Sequence, residues 1–302
     1  MLFRSTLASS LDSPNILTAT VVGGAVGDHD PRSPAAPWWS LTKTVLAAAA
    51  LALVGDGRLS LDAPLSGRPF TLRQLLQHTA GLPDYGGLAA YHEAVARGDL
   101  PWSAGELWRR VGADCLLFEP GQGWAYSNVG YLLVRRLIEE TAGEDIGAAL
   151  HRMVCDPLGV PGVKLAREPR DLSTTAWGNA AGYHPAWVYH GLLVGTPTEA
   201  ARFLDGLLTG RLLRPAQLQA MLESRTVGGA QEGRPWRAPA YGLGLMTDVV
   251  PPRGRAIGHS GAGPGSVAAA FHFPDLDPPH TTAAFAPVGD VGTVERTVLG
   301  LP

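Results

Sequence analysis

Ten consecutive residues, Val45 to Val54, carry no polar side chain. A helix built from them is apolar around its whole circumference, and such a helix persists only where other elements cover every side. The run is half of the roughly 20 residues a membrane-spanning helix needs. It therefore reads as a core helix wrapped by the rest of the chain. Trp38-Trp39-Ser40-Leu41-Thr42-Lys43 leads into it, and Gly55-Asp56-Gly57 closes it. A serine and a lysine three residues apart thus arrive together, on one face, at the entrance of a buried helix.

That lysine stands out. Of the 24 basic residues, 22 are Arg, and the only lysines are Lys43 and Lys164. Arg serves wherever a fixed cation is enough; a Lys is needed where an amine must be able to lose its proton. Lys164, in PGVKLARE, touches no motif and reads as surface. The formal net charge of -3 supplies no basic field for nucleic acid and no polybasic membrane patch. A P-loop is excluded, because neither lysine follows a glycine. With 45% hydrophobic and 17% charged residues, the composition is that of a packed globular protein. Cys115 and Cys155 form no CxxC and read as two reduced core thiols. The start of the chain shows neither a long apolar segment nor a cleavage site, which predicts a cytoplasmic protein; a leader trimmed from it would overturn that expectation.

Along the chain, Asn15 to Gly23 is a strand candidate. From Thr71 to about Cys155 the apolar period is helical. Thr71 caps TLRQLLQHT, Ser103 and Glu106 form a capping box, and Asn128 to Thr141 is a helix stopped at Gly143. Ile146 to Cys155 follows, ended by Asp156-Pro157. Thr196-Pro197-Thr198-Glu199 starts a further helix, and Arg214 to Ser224 makes another. The last quarter turns to strands at Tyr241–Val250, Arg255–Ser260, Ser266–Phe273 and Thr281–Val288, joined by turn-like links. One early strand, a helical middle and adjacent late strands predict an α+β protein, with a helical block inserted between two halves of an antiparallel sheet. The expected organisation is a single domain, 1–302. Its α/β lobe would take in about 1–58 and 195–302, and its helical lobe about 59–194.

Three local features carry chemistry. In Ser40-x-x-Lys43 a serine hydroxyl, a weak nucleophile, has an amine one turn away that burial can turn into a base. On its own this spacing is a weak signal. Tyr126-Ser127-Asn128 precedes a helix. Tyr126 can relay a proton if a nearby cation lowers its pKa, and Asn128 either donates to a substrate carbonyl or caps the helix. Gly258-His259-Ser260-Gly261-Ala262-Gly263-Pro264-Gly265 ends a strand candidate. It is either a Gly-rich hairpin with a polar His at its mouth, or a strand edge whose N–H forms an oxyanion hole with the Ser40 N–H. Position 262 is Ala, so GHSG falls one residue short of the GxSxG elbow of α/β-hydrolases.

Taken together and in this order, the three features resemble the serine β-lactamase and penicillin-binding-protein superfamily, in its class C β-lactamase, DD-carboxypeptidase and esterase branch. Ser40-Leu41-Thr42-Lys43 matches SxxK, Tyr126-Ser127-Asn128 matches YxN, and His259-Ser260-Gly261 stands where that family has KTG or HxG. LVGDGRLSLDAPL, TLRQLLQHTAGLPDY, FEPGQGWAYSNVGYLL, DPLGV and YGLGL are similar to the branch as well. The resemblance spans about residues 38 to 273. It implies a β-lactamase/DD-peptidase-like fold, a helical lobe beside an antiparallel sheet flanked by helices, with the site in the cleft between.

The roles it implies are Ser40 as acyl-accepting nucleophile and Lys43 and Tyr126 sharing base and acid work. Asn128 would hold the substrate carbonyl. His259 would tune charge near Tyr126 and meet the substrate's carboxylate or leaving group. Gly261 would sit in the HxG strand beside the substrate, and the N–H groups of Ser40 and Ala262 would form the oxyanion hole. The expected activity is a serine hydrolase working through an acyl-enzyme on a small ester or amide, with no cofactor, no metal and no nucleic-acid partner. His259 in place of the KTG lysine points away from efficient β-lactam hydrolysis and toward an esterase or a D-amino-acid peptidase. The alternatives are a slowly acylating or non-catalytic penicillin-binding sensor, and an acyltransferase to a non-water acceptor. Of the remaining residues, His78 reads as a fold histidine, Trp38 and Trp39 as core or else as lining of the acyl pocket, and His184 and His190 as lacking metal-ligand spacing.

Overall fold

A computed structural model describes residues 16–178, 180–287 and 289–301. Asn15 and Val288, expected as strand ends, lie outside them. Eleven strands are present in the described residues: β1 Leu17–Val22, β2 Ala25–His29, β3 Ala36–Pro37, β4 Lys164–Ala166, β5 Leu192–Gly195, β6 Arg225–Thr226, β7 Ala240–Tyr241, β8 Met246–Val250, β9 Gly254–Gly263, β10 Ser266–Phe273 and β11 His280–Pro287. The helices are α1 Thr42–Gly55, α2 Leu72–Leu76, α3 Ala89–Arg97, α4 Ala104–Val111, α5 Asn128–Ala142, α6 Ile146–Leu150, α7 Pro169–Ser173, α8 Pro197–Leu208, α9 Pro215–Leu222 and α10 Val291–Leu299.

Eight strands form one antiparallel sheet in the order β2-β1-β11-β10-β9-β8-β7-β6. The late strands pair as successive hairpins, and the early β1 joins them through β11. Every residue of β10, SVAAAFHF, is buried, because helices cover both faces of the sheet. Ala268, Ala270, Ala283 and Phe285 belong to the core on one face, where α8 packs. Ala269, Phe273, Ala284 and Ala286 meet Val294, Val298 and Leu299 of α10 on the other. Alternation along the strand sends successive residues to opposite layers.

The sequence reading missed α10. Its start is signalled by Asp290, whose side chain accepts from the Gly292 N–H, and its end by Gly300 in a left-handed conformation. The reading also expected one strand over Tyr241–Val250. The chain breaks instead at Gly242–Gly244, where it presses on α1. A Cβ on Gly244 would lie 2.5 Å from the Ala47 Cβ, and Thr44 donates to the Gly244 carbonyl at 2.8 Å. A second, three-stranded sheet, β3-β5-β4, joins Ala36–Pro37 to Leu192–Gly195 and Lys164–Ala166, and the sequence reading named none of its strands.

The apolar run is α1, and it lies inside the protein as its composition requires. Residues Thr42 to Leu51 and Leu53 are buried, against α5, α6 and α9 among others. Each large side chain so buried contributes about 1.5–3 kcal/mol of hydrophobic stabilisation. The caps expected at Thr71, Ser103 and Thr196 are present, Thr71 and Thr196 as full capping boxes. Cys115 corrects one expectation: it is exposed, and only Cys155 lies in the core. No helix of the described residues is long and apolar enough to cross a membrane.

Candidate active site

Ser40 sits in a single tight turn, Trp39–Leu41, that feeds directly into α1. Trp39, at φ 45°, adopts a left-handed conformation rare for a bulky residue. It is held there by packing and by its indole N–H, which donates to Ser266 Oγ at 2.9 Å. Beyond Gly258, β9 has no partner in β8, and this stretch lies against the Ser40 turn. The approach is close. A Cβ on Gly261 would lie 2.5 Å from the Ser40 nitrogen, and one on Gly263 would enter the Trp39 ring. Small residues at 261 and 263 are therefore a condition of the contact. The glycines belong to the strand itself, and the hairpin is confined to Pro264-Gly265.

Four of the expected side chains converge on one oxygen or its neighbour. Lys43 Nζ lies 3.1 Å from Ser40 Oγ and donates to Asn128 Oδ1 at 2.7 Å. Tyr126 donates its hydroxyl hydrogen to Ser40 Oγ at 2.8 Å. Asn128 is not the cap of α5: Ser127 is, with its Oγ accepting from the Gly130 N–H, and this releases the Asn128 side chain to the site.

Lys43 is fully buried, and desolvation pulls its pKa from 10.5 down to about 7, opposed by the nearby Asp84 carboxylate. The third neighbour of the amine is His190 Nε2, at 3.3 Å. Burial and the Lys43 charge hold His190 well below its usual pKa, so the ring is neutral, and the tautomer protonated at Nδ1 accepts from the amine at Nε2. This shell suits both states of the amine. As an ammonium, Lys43 donates to Ser40, Asn128 and His190. As an amine it keeps the last two bonds and turns its lone pair to the Ser40 hydroxyl. Only the direction of one hydrogen bond changes.

The expectation that a cation lowers the Tyr126 pKa does not describe this environment. Burial dominates and raises it, so Tyr126 stays a phenol. His78 packs behind it, with ring centroids 4.3 Å apart, and accepts from the Ser127 N–H. It is a fold histidine of the site wall.

His259 also differs from expectation. It is buried, with Nδ1–H donating to the Ser260 carbonyl at 2.6 Å and Nε2 accepting from Tyr241 at 2.8 Å. Desolvation lowers its pKa to about 3. A neutral ring with both nitrogens engaged carries no charge toward a substrate. The nearest fixed cation on that side is Arg234, itself paired with the fully buried Glu295 and donating to Ser260 Oγ at 2.9 Å.

Two cavities meet at Ser40, Asn128 and Ala262. One, of about 290 Å³, is bounded by Trp39, Tyr85, Tyr91, Tyr183 and Val188. The other, of about 510 Å³, is bounded by Tyr126, Arg234, Trp236, Tyr241 and His259. Trp39 thus lines the site as well as the core. Asp84, His190, Arg234 and Tyr241 are the residues of this region to which the sequence reading gave no role.

Comparison with known proteins shows what the chain is similar to. The chain is 27% identical over 257 residues to penicillin-binding protein 4* of Bacillus subtilis, covering 75% of the chain and 55% of that protein. It is 31% identical over 141 residues to the esterase EstB of Burkholderia gladioli, 40% of the chain and 36% of that protein. The chain thus spans about half the length of the first relative and about a third of the second. Among solved structures, a D-stereospecific amidohydrolase from Streptomyces sp. superposes with a TM-score of 0.79 at 24% identity, over 94% of this chain and 93% of that one. The D-amino acid amidase of Ochrobactrum anthropi SV3 gives 0.77 at 23% identity, over 92% and 89%. Both share the fold. The family model described as Beta-lactamase matches residues 25–284, and the chain belongs to that family.

Proposed function

We propose that the protein is a serine hydrolase that cleaves small esters or amides through an acyl-enzyme on Ser40. The observation that carries this reading is the buried Lys43 amine, bonded to Ser40 Oγ and with its pKa drawn down to about 7. At neutral pH such an amine is partly unprotonated and accepts the hydroxyl proton as Ser40 attacks the carbonyl carbon. The carbonyl oxygen becomes an oxyanion beside the backbone N–H groups of Ser40 and Ala262, where hydrogen bonds stabilise it.

Tyr126, a phenol that already donates to Ser40 Oγ, gives its proton to the leaving oxygen or nitrogen and recovers one from the Lys43 ammonium. The acyl group remains on Ser40. Water then repeats the sequence with the same groups, releasing the acid and restoring Ser40. Because Tyr126 borders only the larger cavity, the leaving group belongs there, and the acyl part belongs in the smaller, tyrosine-walled cavity.

Relatives named as an esterase and a D-aminopeptidase support esters and D-amino-acid derivatives as substrates. The neutral His259 supports them over β-lactams, which carry a carboxylate. The test is turnover of p-nitrophenyl esters, D-alanyl p-nitroanilide and nitrocefin by wild type and Ser40→Ala, with intact mass to detect the acyl adduct. Loss of turnover and of adduct in Ser40→Ala is expected. Full turnover by that variant on every substrate overturns the reading.

A further inference from the structure

The Lys43 shell works only if the Asn128 amide presents its oxygen to the amine. Something must fix that orientation, since a side-chain amide has two ends of nearly equal shape and opposite polarity. Asp84, in the LPDY turn, is placed to do so. Its Oδ1 accepts from the Asn128 backbone N–H at 2.8 Å, and its Oδ2 accepts from Asn128 Nδ2 at 3.1 Å and from the Gly86 N–H at 3.2 Å. The turn itself is anchored to the start of α5, where Ser127 Oγ donates to the Pro83 carbonyl at 2.9 Å.

We propose that Asp84 is a positioning residue of the hydrolase: its carboxylate pins the amide nitrogen of Asn128, turns Oδ1 onto Lys43, and so leaves the amine lone pair directed at Ser40. A half-turn of the Asn128 amide would set its oxygen against the carboxylate and its N–H groups against the Lys43 amine. The first contact is repulsive, and the second repels the ammonium or ties up the lone pair of the neutral amine, so the carboxylate makes the productive orientation the stable one. It is a chain of two polar links, Asp84 to Asn128 to Lys43, and its far end is the base.

The carboxylate has a second effect, through space. Facing the Lys43 amine are His78, His190 and His259, all pushed below their usual pKa by burial, and Tyr126 and Tyr131, both pushed above theirs. These groups are neutral. Arg234, which faces Tyr126 and His259, is paired with Glu295. Asp84 is the carboxylate that raises the Lys43 pKa against desolvation.

The inference rests on the hydrolase reading above, and the experiment separates the two. Full-length wild type, Asp84→Asn, Asn128→Ala and the double variant are compared on one p-nitrophenyl ester, with Ser40→Ala as control and thermal melts as a check on folding. For Asp84→Asn, kcat is expected to fall about tenfold or more with KM within about twofold, the pattern of a lost transition-state contribution. The acidic limb of its kcat/KM profile moves to lower pH, because the charge that raised the Lys43 pKa is gone. In the Asn128→Ala background the same substitution adds little further loss of kcat, because the residue it acts through is absent. If Asp84→Asn does not fold, Asp84→Ser replaces it, with the same expectations. Near-wild-type kcat with an unshifted limb, or losses that add in the double variant, overturns the role of Asp84 while Ser40→Ala remains inactive. Retained turnover in Ser40→Ala overturns the hydrolase reading, and this inference with it.

Discussion

Gly261 faces Ser40 so closely that a Cβ on it would lie 2.5 Å from the Ser40 backbone nitrogen and 2.7 Å from the Trp39 Cβ. The sheet edge and the nucleophile turn are thus in contact through a residue with no side chain. Gly261→Ala must separate them, since neither neighbour is a flexible side-chain end. We expect kcat/KM to fall about 100-fold, the cost of misplacing reacting groups by about 1 Å. A retained melting transition would place the damage in the site and not in the fold.

The Lys43 pKa links activity and stability with opposite signs. Lys43→Arg and Lys43→Met are both expected to lose most activity, because neither can accept the Ser40 proton. Near-wild-type turnover by Lys43→Arg would mean the residue acts only as a charge. Lys43→Met is nevertheless expected to melt higher than wild type. With pKa values of about 7 folded and 10.5 unfolded, the unfolded chain binds more protons across that window. Wild-type stability therefore rises from pH 7 toward 10.5, and the advantage of Met is largest below pH 7, on the order of a few kcal/mol. Melts at pH 6.5 and 9.5 check this.

The pH profile of turnover should be one-sided. The acidic limb falls near pH 7, where Lys43 gains its proton. Tyr126, raised by burial, stays a phenol through the alkaline range. An amide substrate, stable to hydroxide, should show kcat/KM rising through pH 7 and level to about pH 9.5. A bell with an alkaline limb near 8 would contradict the assignment of Tyr126 as the proton donor.

Tyr241 donates to His259 Nε2 at 2.8 Å in a buried place. Tyr241→Phe leaves that nitrogen without a donor, at a cost of about 1–3 kcal/mol. Because neither side chain bonds to Ser40 Oγ, which Lys43 and Tyr126 contact, kcat should change less than stability does. Denaturant unfolding and steady-state kinetics on the same preparation decide it.

Much of this was legible before any coordinates. An all-round apolar helix announces its burial, and a lysine in an arginine-rich chain announces an amine with a purpose. The caps of α2, α4 and α8 follow from short-range hydrogen bonding, which spacing reports directly. The missing parts are those made by distance along the chain. Lys43 meets His190 across 147 positions, and Asp84 meets Asn128 across 44. No period or cap encodes such pairings. His190 was weighed only against metal-ligand spacing. His259 was expected to meet the substrate because the family resemblance implies it, and only the packing of Tyr241 and β10 shows it enclosed. The break at Gly242–Gly244 was hidden because the reason for it, α1, lies two hundred residues earlier.

The pairing of β1 with β11 has a consequence for biosynthesis. Leu17 meets Phe285, so β1, made early, waits for the last of the described strands. At roughly 5–20 residues per second, that wait lasts on the order of tens of seconds. Throughout it α1 exists without the sheet hairpins that come to press on its entrance, an oily rod open to neighbouring nascent chains. A permuted chain that begins at β10 and carries β1 after α10 would present the strand partners early. It should give a larger soluble fraction when chaperones are scarce.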